Sequence, residues 1–251
     1  MRRGWRAVGA AGALALLWIS TGLSASETPE TSTGKPIPAS SDWAPVAAWA
    51  PVAAWVTARP LPHADERAAL MQDYLRQHLP AGVAATPEAP RVVVLHWTAG
   101  PTAESCWQTF APARLSGRPE LQRGGAVNVG AHFIVDRDGT VIQVQPTTTP
   151  ARHAIGLNHL SIGVENVGDG ARYPLTEAQV ASNIRLIAEL RAVHPSISHL
   201  IGHHEALSMK GGPLYAEADP KYVNQKADPG DAFMAKVRAG VAPGLRGPAA
   251  P

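Results

Sequence analysis

The chain is predicted to fold as an α/β domain built on a single mixed β-sheet flanked by helices. Three observations carry that prediction. A continuous apolar run at 92–95 (Val-Val-Val-Leu) reads as a strand buried on both faces. Residues 131–135 and 140–144 flank Asp136-Arg137-Asp138-Gly139, which has the chemistry of a hairpin turn. A long amphipathic stretch then follows Thr176, so strands and helices alternate through the second half of the chain. With 251 residues and 45% hydrophobic content there is material for one core and hardly for two.

Before the first strand, the chain divides into segments of different character. Arg2, Arg3 and Arg6 precede an apolar run at 8–19, and Leu23-Ser24-Ala25 places small residues before a cleavage point. That layout predicts a signal peptide over 1–25. A membrane anchor is the competing reading, but it needs about 20 apolar residues. No integral membrane segment is therefore expected after cleavage, and the protein is expected in the periplasm or outside the cell. No cysteine follows the apolar run to take a lipid, and Arg2-Arg3 alone does not identify twin-arginine export. Residues 26–62 are rich in Pro, Ala, Ser and Thr and contain an exact duplication, Ala44-Pro45-Val46-Ala47-Ala48-Trp49 and Ala50-Pro51-Val52-Ala53-Ala54-Trp55. They read as an extended tether. Two readings of its tryptophans stand: Trp43, Trp49 and Trp55 touch glycan or membrane, or a slipped repeat packs loosely on the domain.

The folded domain is expected over 63–243. Ala68, Leu70, Met71, Leu75 and Leu79 form an apolar stripe on a helix at 65–79, which Pro80 and Gly82 stop. After strand 92–95 and the hairpin comes a short strand at 162–165. Thr176 caps a helix that runs to Val193 and ends before Pro195, with Glu177 in its first turn and Val180, Ile184, Ile187 and Leu190 turned to the core. Leu200-Ile201 leads as a last strand into His203. A final helix begins near Asp231 and carries Phe233, Met234 and Val237 inward, and 244–251 is left as a flexible tail.

Charge excludes one class of partner. The formal net charge is +2, but the signal segment holds three arginines and no acid, so the remainder has 19 basic and 20 acidic side chains. Long basic runs are missing, and nucleic acid is not expected as a partner. The one cysteine, Cys106, cannot form an internal disulfide.

The chemistry-bearing residues lie at strand ends. His96 ends the apolar strand, His203 follows the last one, and Asp228 precedes Pro229-Gly230. Two imidazoles and a carboxylate make the three-ligand set of a catalytic zinc ion. His204 competes with His203, and because adjacent strand residues point to opposite faces only one of them reaches the metal. Lys226 would place a positive charge beside a zinc-bound water. There is no HExxH helix, which excludes a thermolysin-like protease, and no pair of CxxC motifs for a structural zinc.

Five blocks occur in order: Val94-Leu95-His96-Trp97-Thr98; Ala131-His132-Phe133-Ile134-Val135 with its Asp138-Gly139 turn; Ser161-Ile162-Gly163-Val164-Glu165; Gly202-His203; and Lys226-Ala227-Asp228-Pro229-Gly230. Over about 90–240 the chain resembles the type 2 N-acetylmuramoyl-L-alanine amidase family, which shares its fold with peptidoglycan-recognition proteins and phage T7 lysozyme. The resemblance implies one zinc ion on His96, His203 and Asp228, with Glu165 as general base and Lys226 supporting the transition state. It implies hydrolysis of the bond between N-acetylmuramic acid and L-alanine in peptidoglycan or a muropeptide, for cell-wall turnover, recycling or lysis. A peptidoglycan-binding protein without catalysis is the alternative on this fold. Some members carry a tyrosine before the histidine of the second block; Ala131 stands there, which favours Glu165 as the base. Arg152-His153-Ala154 resembles a substrate-side segment, so His132, His153 and Asn158 are candidates for the cleft lining, with loop-fixing polar groups as the alternative. The longer stretch 205–225, with Gly211-Gly212-Pro213 and Tyr215, is expected to form a lid or a substrate wall.

Overall fold

The computed structural model describes residues 49–248. The expected signal peptide and the first part of the tether, up to residue 48, lie outside them. Among the described residues no helix is long and apolar enough to cross a membrane.

The mixed sheet has six strands: β1 (Thr57–Ala58), β2 (Val92–Trp97), β3 (Phe133–Val135), β4 (Val141–Gln143), β5 (Ser161–Asn166) and β6 (His199–Gly202). Their order across the sheet is β1-β4-β3-β5-β2-β6. β3 and β4 form the expected antiparallel hairpin, while β2 lies parallel to β5 on one side and to β6 on the other. In the hairpin turn Gly139 adopts φ 90°, the amide of Thr140 donates to Asp138 Oδ1, and a Cβ on Gly139 would meet the backbone of Ala178. Only glycine suits that turn.

Side-chain alternation splits the sheet into two faces. Val93, Leu95, Phe133, Val135, Ile162, Val164 and Leu200 pack against α4 (Glu177–Val193) and α5 (Asp231–Gly240). On the other face Val92, Val94 and Ile201 pack under the 154–160 loop and the 3-10 helix His203–Met209. Both faces of 92–95 are thus covered, as its unbroken apolarity requires. α4 begins on a capping box, with Gln179 N donating to Thr176 Oγ1 and the Gln179 side chain accepting from Thr176 N.

α2 (Ala103–Phe110) packs on Ile134 of the second face, α1 (Ala64–His78) packs outside it against Ala113 and Val127, and α3 (Pro119–Gln122) is a single turn. α2 is too short for its periodicity to stand out in sequence; Thr102 caps it, and Ala103, Cys106 and Phe110 are its buried face. The guanidinium of Arg67 on α1 donates to the carbonyls of Phe110, Ala111 and Pro112, the acceptors α2 leaves open at its end.

Two expected flexible segments are held more firmly than their composition indicates. The second repeat copy is docked: Val52 N donates to Gln143 Oε1, the Trp55 indole donates to Glu189 Oε1 at 3.2 Å, and Arg185 stacks on the Trp55 ring at 4.1 Å. Val56 and Leu61 are buried, and β1 pairs with β4. Residues 50–62 are therefore docked on the domain, because the otherwise open edge of β4 offers backbone partners to Thr57 and Ala58. At the other edge Arg246 pairs with β6, its amide donating to Ser198 O and its carbonyl accepting from Leu200 N, both at 2.9 Å.

Replacing Trp55 with alanine should lower the unfolding free energy by roughly 1–3 kcal/mol, from lost burial and the cation–π contact. Urea unfolding of the full chain checks this; an unchanged midpoint would mean the second repeat is not docked.

Candidate metal and catalytic site

The parallel register of β2 and β5 pairs His96 with Glu165, one residue from the C-terminal end of each strand. β6 ends beside them, and His203 is the first residue of the 3-10 helix that follows it. Asp228 arrives from the other direction, just ahead of α5, and its carbonyl accepts from His204 N at 2.8 Å, tying the two segments together. The site thus occupies the carboxyl ends of parallel strands, where loops diverge and leave a crevice. A cavity of about 260 Å³ opens there, lined among others by His96, Glu165, His203, Lys226 and Asp228.

Three side-chain atoms converge at its floor. His96 Nδ1 lies 2.9 Å from His203 Nδ1, His203 Nδ1 lies 3.1 Å from Asp228 Oδ2, and His96 Nδ1 lies 3.3 Å from the same oxygen. Each imidazole nitrogen has a single in-plane lone pair or proton, so the two nitrogens and the carboxylate oxygen cannot satisfy all three contacts by hydrogen bonds. A cation between them can. The edge lengths are close to those of a tetrahedral zinc site with bonds of about 2.0–2.2 Å, and all three residues are buried.

Burial acts differently on each group. It lowers His203 to about 4, helped by the charge of His96 and opposed by Asp228, so the imidazole is neutral at physiological pH. Burial alone would raise Asp228, but the His203 and His96 imidazoles against its Oδ2 outweigh it and hold the carboxyl well below its usual range. A neutral imidazole and an ionised carboxylate are the ligand forms. Glu165 is pushed up to about 7 by burial and the nearby Asp228 charge, against His96 and Lys226, and its Oε2 has no hydrogen-bond partner among the described residues.

The structure separates His203 from its competitor. His204 turns away, with Nδ1 3.0 Å from Asp228 O and Nε2 2.9 Å from Asp231 Oδ1. His153 and Asn158 line the cavity, but both are committed within the protein. His153 bridges His96 and Ser161, and Asn158 Oδ1 accepts from the amides of His153 and Ala154 while its Nδ2 donates to Tyr74. His132 is not in the cavity wall. Its Nδ1 accepts from Gly163 N at 3.0 Å and its Nε2 donates to Thr149 O at 2.8 Å, and burial lowers it to about 4. The polar atoms of all three are engaged within the protein, and His153 and Asn158 also border the cavity.

The 205–225 stretch forms a wall. Tyr215 lies over Gly156 and Tyr222 over Gly124, each so close that a Cβ on the glycine would fall 2.4 Å from the ring. The buried pair His78 Nδ1 and Glu217 Oε1, 2.9 Å apart, fastens the stretch to α1. Tyr222 and Asn224 face the cavity. Arg152, with donors on the carbonyls of Leu121, Gly125 and Val127, also holds the Tyr222 hydroxyl at 2.8 Å. Sequence reading missed Tyr222, Asn224 and Ser161; for Ser161 a signal existed, since 161, 163 and 165 share one face of β5.

A single-sheet α/β domain with a His-His-Asp cluster, beside a glutamate whose inner oxygen has no partner among the described residues, has the makings of a metal-assisted hydrolase. The family model for N-acetylmuramoyl-L-alanine amidase matches residues 86–231, more than half the chain. The chain belongs to that family, as its five sequence blocks imply. It is 40% identical over 86 residues to the endolysin of Escherichia phage T7, covering 32% of this chain and 56% of the phage protein. The chain thus spans about half the length of that relative. Among solved structures it is similar to the N-acetylmuramoyl-L-alanine amidase LysC from Clostridium intestinale, with 22% identity, 62% of this chain and 91% of that chain covered, and TM-score 0.41. It is also similar to peptidoglycan recognition protein-LE in complex with tracheal cytotoxin, with 16% identity, 77% and 97% covered, and TM-score 0.47.

His203→Ala should weaken zinc binding by at least tenfold in a chelator competition, whereas His204→Ala should leave it within about twofold; the reverse order would reassign the ligand. A second expectation concerns stability. Between its ordinary 4.5 and about 7, Glu165 keeps its proton in the native state and loses it in the unfolded chain. Stability therefore falls as pH rises through that window. In metal-stripped protein Glu165→Gln should match the parent near pH 4.5 and melt several degrees higher at pH 7.5, at about 2–4 °C per kcal/mol. Equal melting at pH 7.5 would contradict the burial of this carboxyl.

Proposed function

We propose that the protein is an exported, zinc-dependent peptidoglycan amidase that hydrolyses the bond between N-acetylmuramic acid and the L-alanine of the stem peptide, in cell-wall turnover, recycling or lysis. The observation that carries this reading is the triangle of His96 Nδ1, His203 Nδ1 and Asp228 Oδ2 beside Glu165, in a chain of the amidase family. Export rests on the charged and apolar layout of residues 1–25.

His96, His203 and Asp228 would hold one zinc ion, which supplies Lewis-acid polarisation of a carbonyl and acidifies water. Glu165 takes the proton of the attacking water on a carboxylate oxygen and delivers it to the departing alanine nitrogen as the amide C–N bond breaks. Its unpartnered Oε2 leaves an acceptor free for that proton. Lys226, on the cavity wall with Glu165, sets a positive charge near the carbonyl oxygen as it gains negative charge. Tyr222 and Asn224, which line the same cavity, border the substrate.

Purified sacculi and an anhydro-muramyl-tripeptide, digested by the mature protein and read by mass spectrometry, test the reading. Free stem peptides with an L-alanine amino terminus are expected, lost with chelator and restored by zinc. Glu165→Gln should cut turnover by about 10²–10⁴ while retaining zinc. Tight binding with intact substrates would instead make this a recognition protein and remove the catalytic roles of Glu165 and Lys226.

A further inference from the structure

Only one of the two imidazoles in the triangle is backed by protein. His203 Nε2 is buried and has no partner among the described residues. His96 Nε2 lies 3.1 Å from His153 Nδ1, His153 Nε2 lies 3.2 Å from Ser161 Oγ, and Ser161 Oγ lies 2.7 Å from Leu157 O. We propose that His153 and Ser161 are positioning residues that fix the tautomer of His96, keeping its Nδ1 bare and aimed at the metal position.

The direction of the chain follows from its far end. A carbonyl oxygen can only accept, so the short contact with Leu157 O takes the hydroxyl proton of Ser161. Ser161 Oγ then accepts, and His153 Nε2 carries the proton that it accepts. His153 Nδ1 is left as a lone pair, which takes the Nε2 proton of His96. His96 Nδ1 consequently has no proton and faces His203 Nδ1 and Asp228 Oδ2. The opposite direction would put a proton on His96 Nδ1 and block it as a ligand.

The backbone is shaped around this chain. Ser161, Gly163 and Glu165 alternate onto the face of β5 that His96 shares, in register with Val92, Val94 and His96. The His153 ring crosses that face over Gly163, where a Cβ would stand 2.8 Å from its Cγ and Nδ1. Asn158 Oδ1 accepts from the amides of His153 and Ala154 at 2.8 and 2.7 Å, so the loop presents the ring at a fixed angle. A partner on the outer nitrogen of a ligating histidine fixes ring orientation and raises ligand basicity, and losing one costs about 10–100-fold in metal affinity.

This inference rests on the metal reading of the site, and the experiment separates the two. Zinc dissociation constants are measured by chelator competition for the full chain and for His153→Leu, Ser161→Ala and His153→Gln, with melting curves of each metal-free protein. His153→Leu should weaken zinc by about 10–100-fold, and Ser161→Ala, a smaller change, by several-fold. His153→Gln should recover most of the affinity, since its amide offers an acceptor to His96 and a donor to Ser161. In zinc-loaded protein, ¹⁵N spectra of labelled histidine should show both His96 and His153 protonated on Nε2. Folded His153→Leu and Ser161→Ala with parental zinc affinity would overturn the inference, as would a proton on His153 Nδ1. Failure of the parent chain to bind zinc would overturn the metal reading and this inference with it.

Discussion

The parallel pairing of β2 with β5 on one side and β6 on the other is the constraint on which the site depends. It sets His96 beside Glu165 and brings His203 to the same end of the sheet. A slip of one residue in either pairing would turn a histidine or the glutamate to the opposite face, into the apolar layer under α4 and α5. The register is held because each strand has two different faces to satisfy. Val93 and Leu95 fit one apolar cluster and Val92 and Val94 another, so the core and the site demand the same alignment.

Within that frame, two carboxylates in one pocket behave in opposite ways. Asp228 has imidazoles on its Oδ2 and stays ionised in spite of burial; Glu165 lacks hydrogen-bond partners for its inner oxygen and holds its proton up to about 7. The difference lies in what each oxygen touches rather than in depth. It is the separation expected where one carboxylate is fixed as a ligand and the other exchanges protons. A cation between the imidazoles, like Lys226, would lower Glu165 and bring it nearer to a working base at neutral pH.

Much of this was legible in the residues. The apolar run at 92–95, the Asp138-Gly139 turn, the Thr176 cap and the strand-end histidines each carry a local signal, and each corresponds to an element or site residue of the fold. The choice between His203 and His204 was open because it turns on how the chain leaves β6. It enters a 3-10 helix there, so strand alternation no longer decides where the two rings point. His132 is ambiguous for a related reason: a histidine beside a strand reads the same whether its ring faces a cleft or, as here, bonds to neighbouring backbone. Residues 50–58 dock although their composition reads as a tether, because composition reports what a segment can do alone. It does not report the open edge of β4 that receives it.

Behind the site, buried polar groups link helix α4 to the backbone of His96. Gln179, at the third position of the helix, donates to the carbonyls of both Val135 and Val167 and also completes the cap with Thr176. One turn on, Asn183 donates to Asn166, and Asn166 donates to the carbonyl of His96 at 3.0 Å. Gln179, Asn183 and Asn166 are fully buried, so each bond left unmade would cost about 1–3 kcal/mol. An apolar layer would hold the helix against the sheet equally well, but it would leave the helix free to slide along the sheet. Directional bonds to the strand ends remove that freedom at the point where His96 leaves the sheet. The cap, the helix and the backbone of His96 are therefore positioned as one unit, while His153 constrains the same residue from its ring.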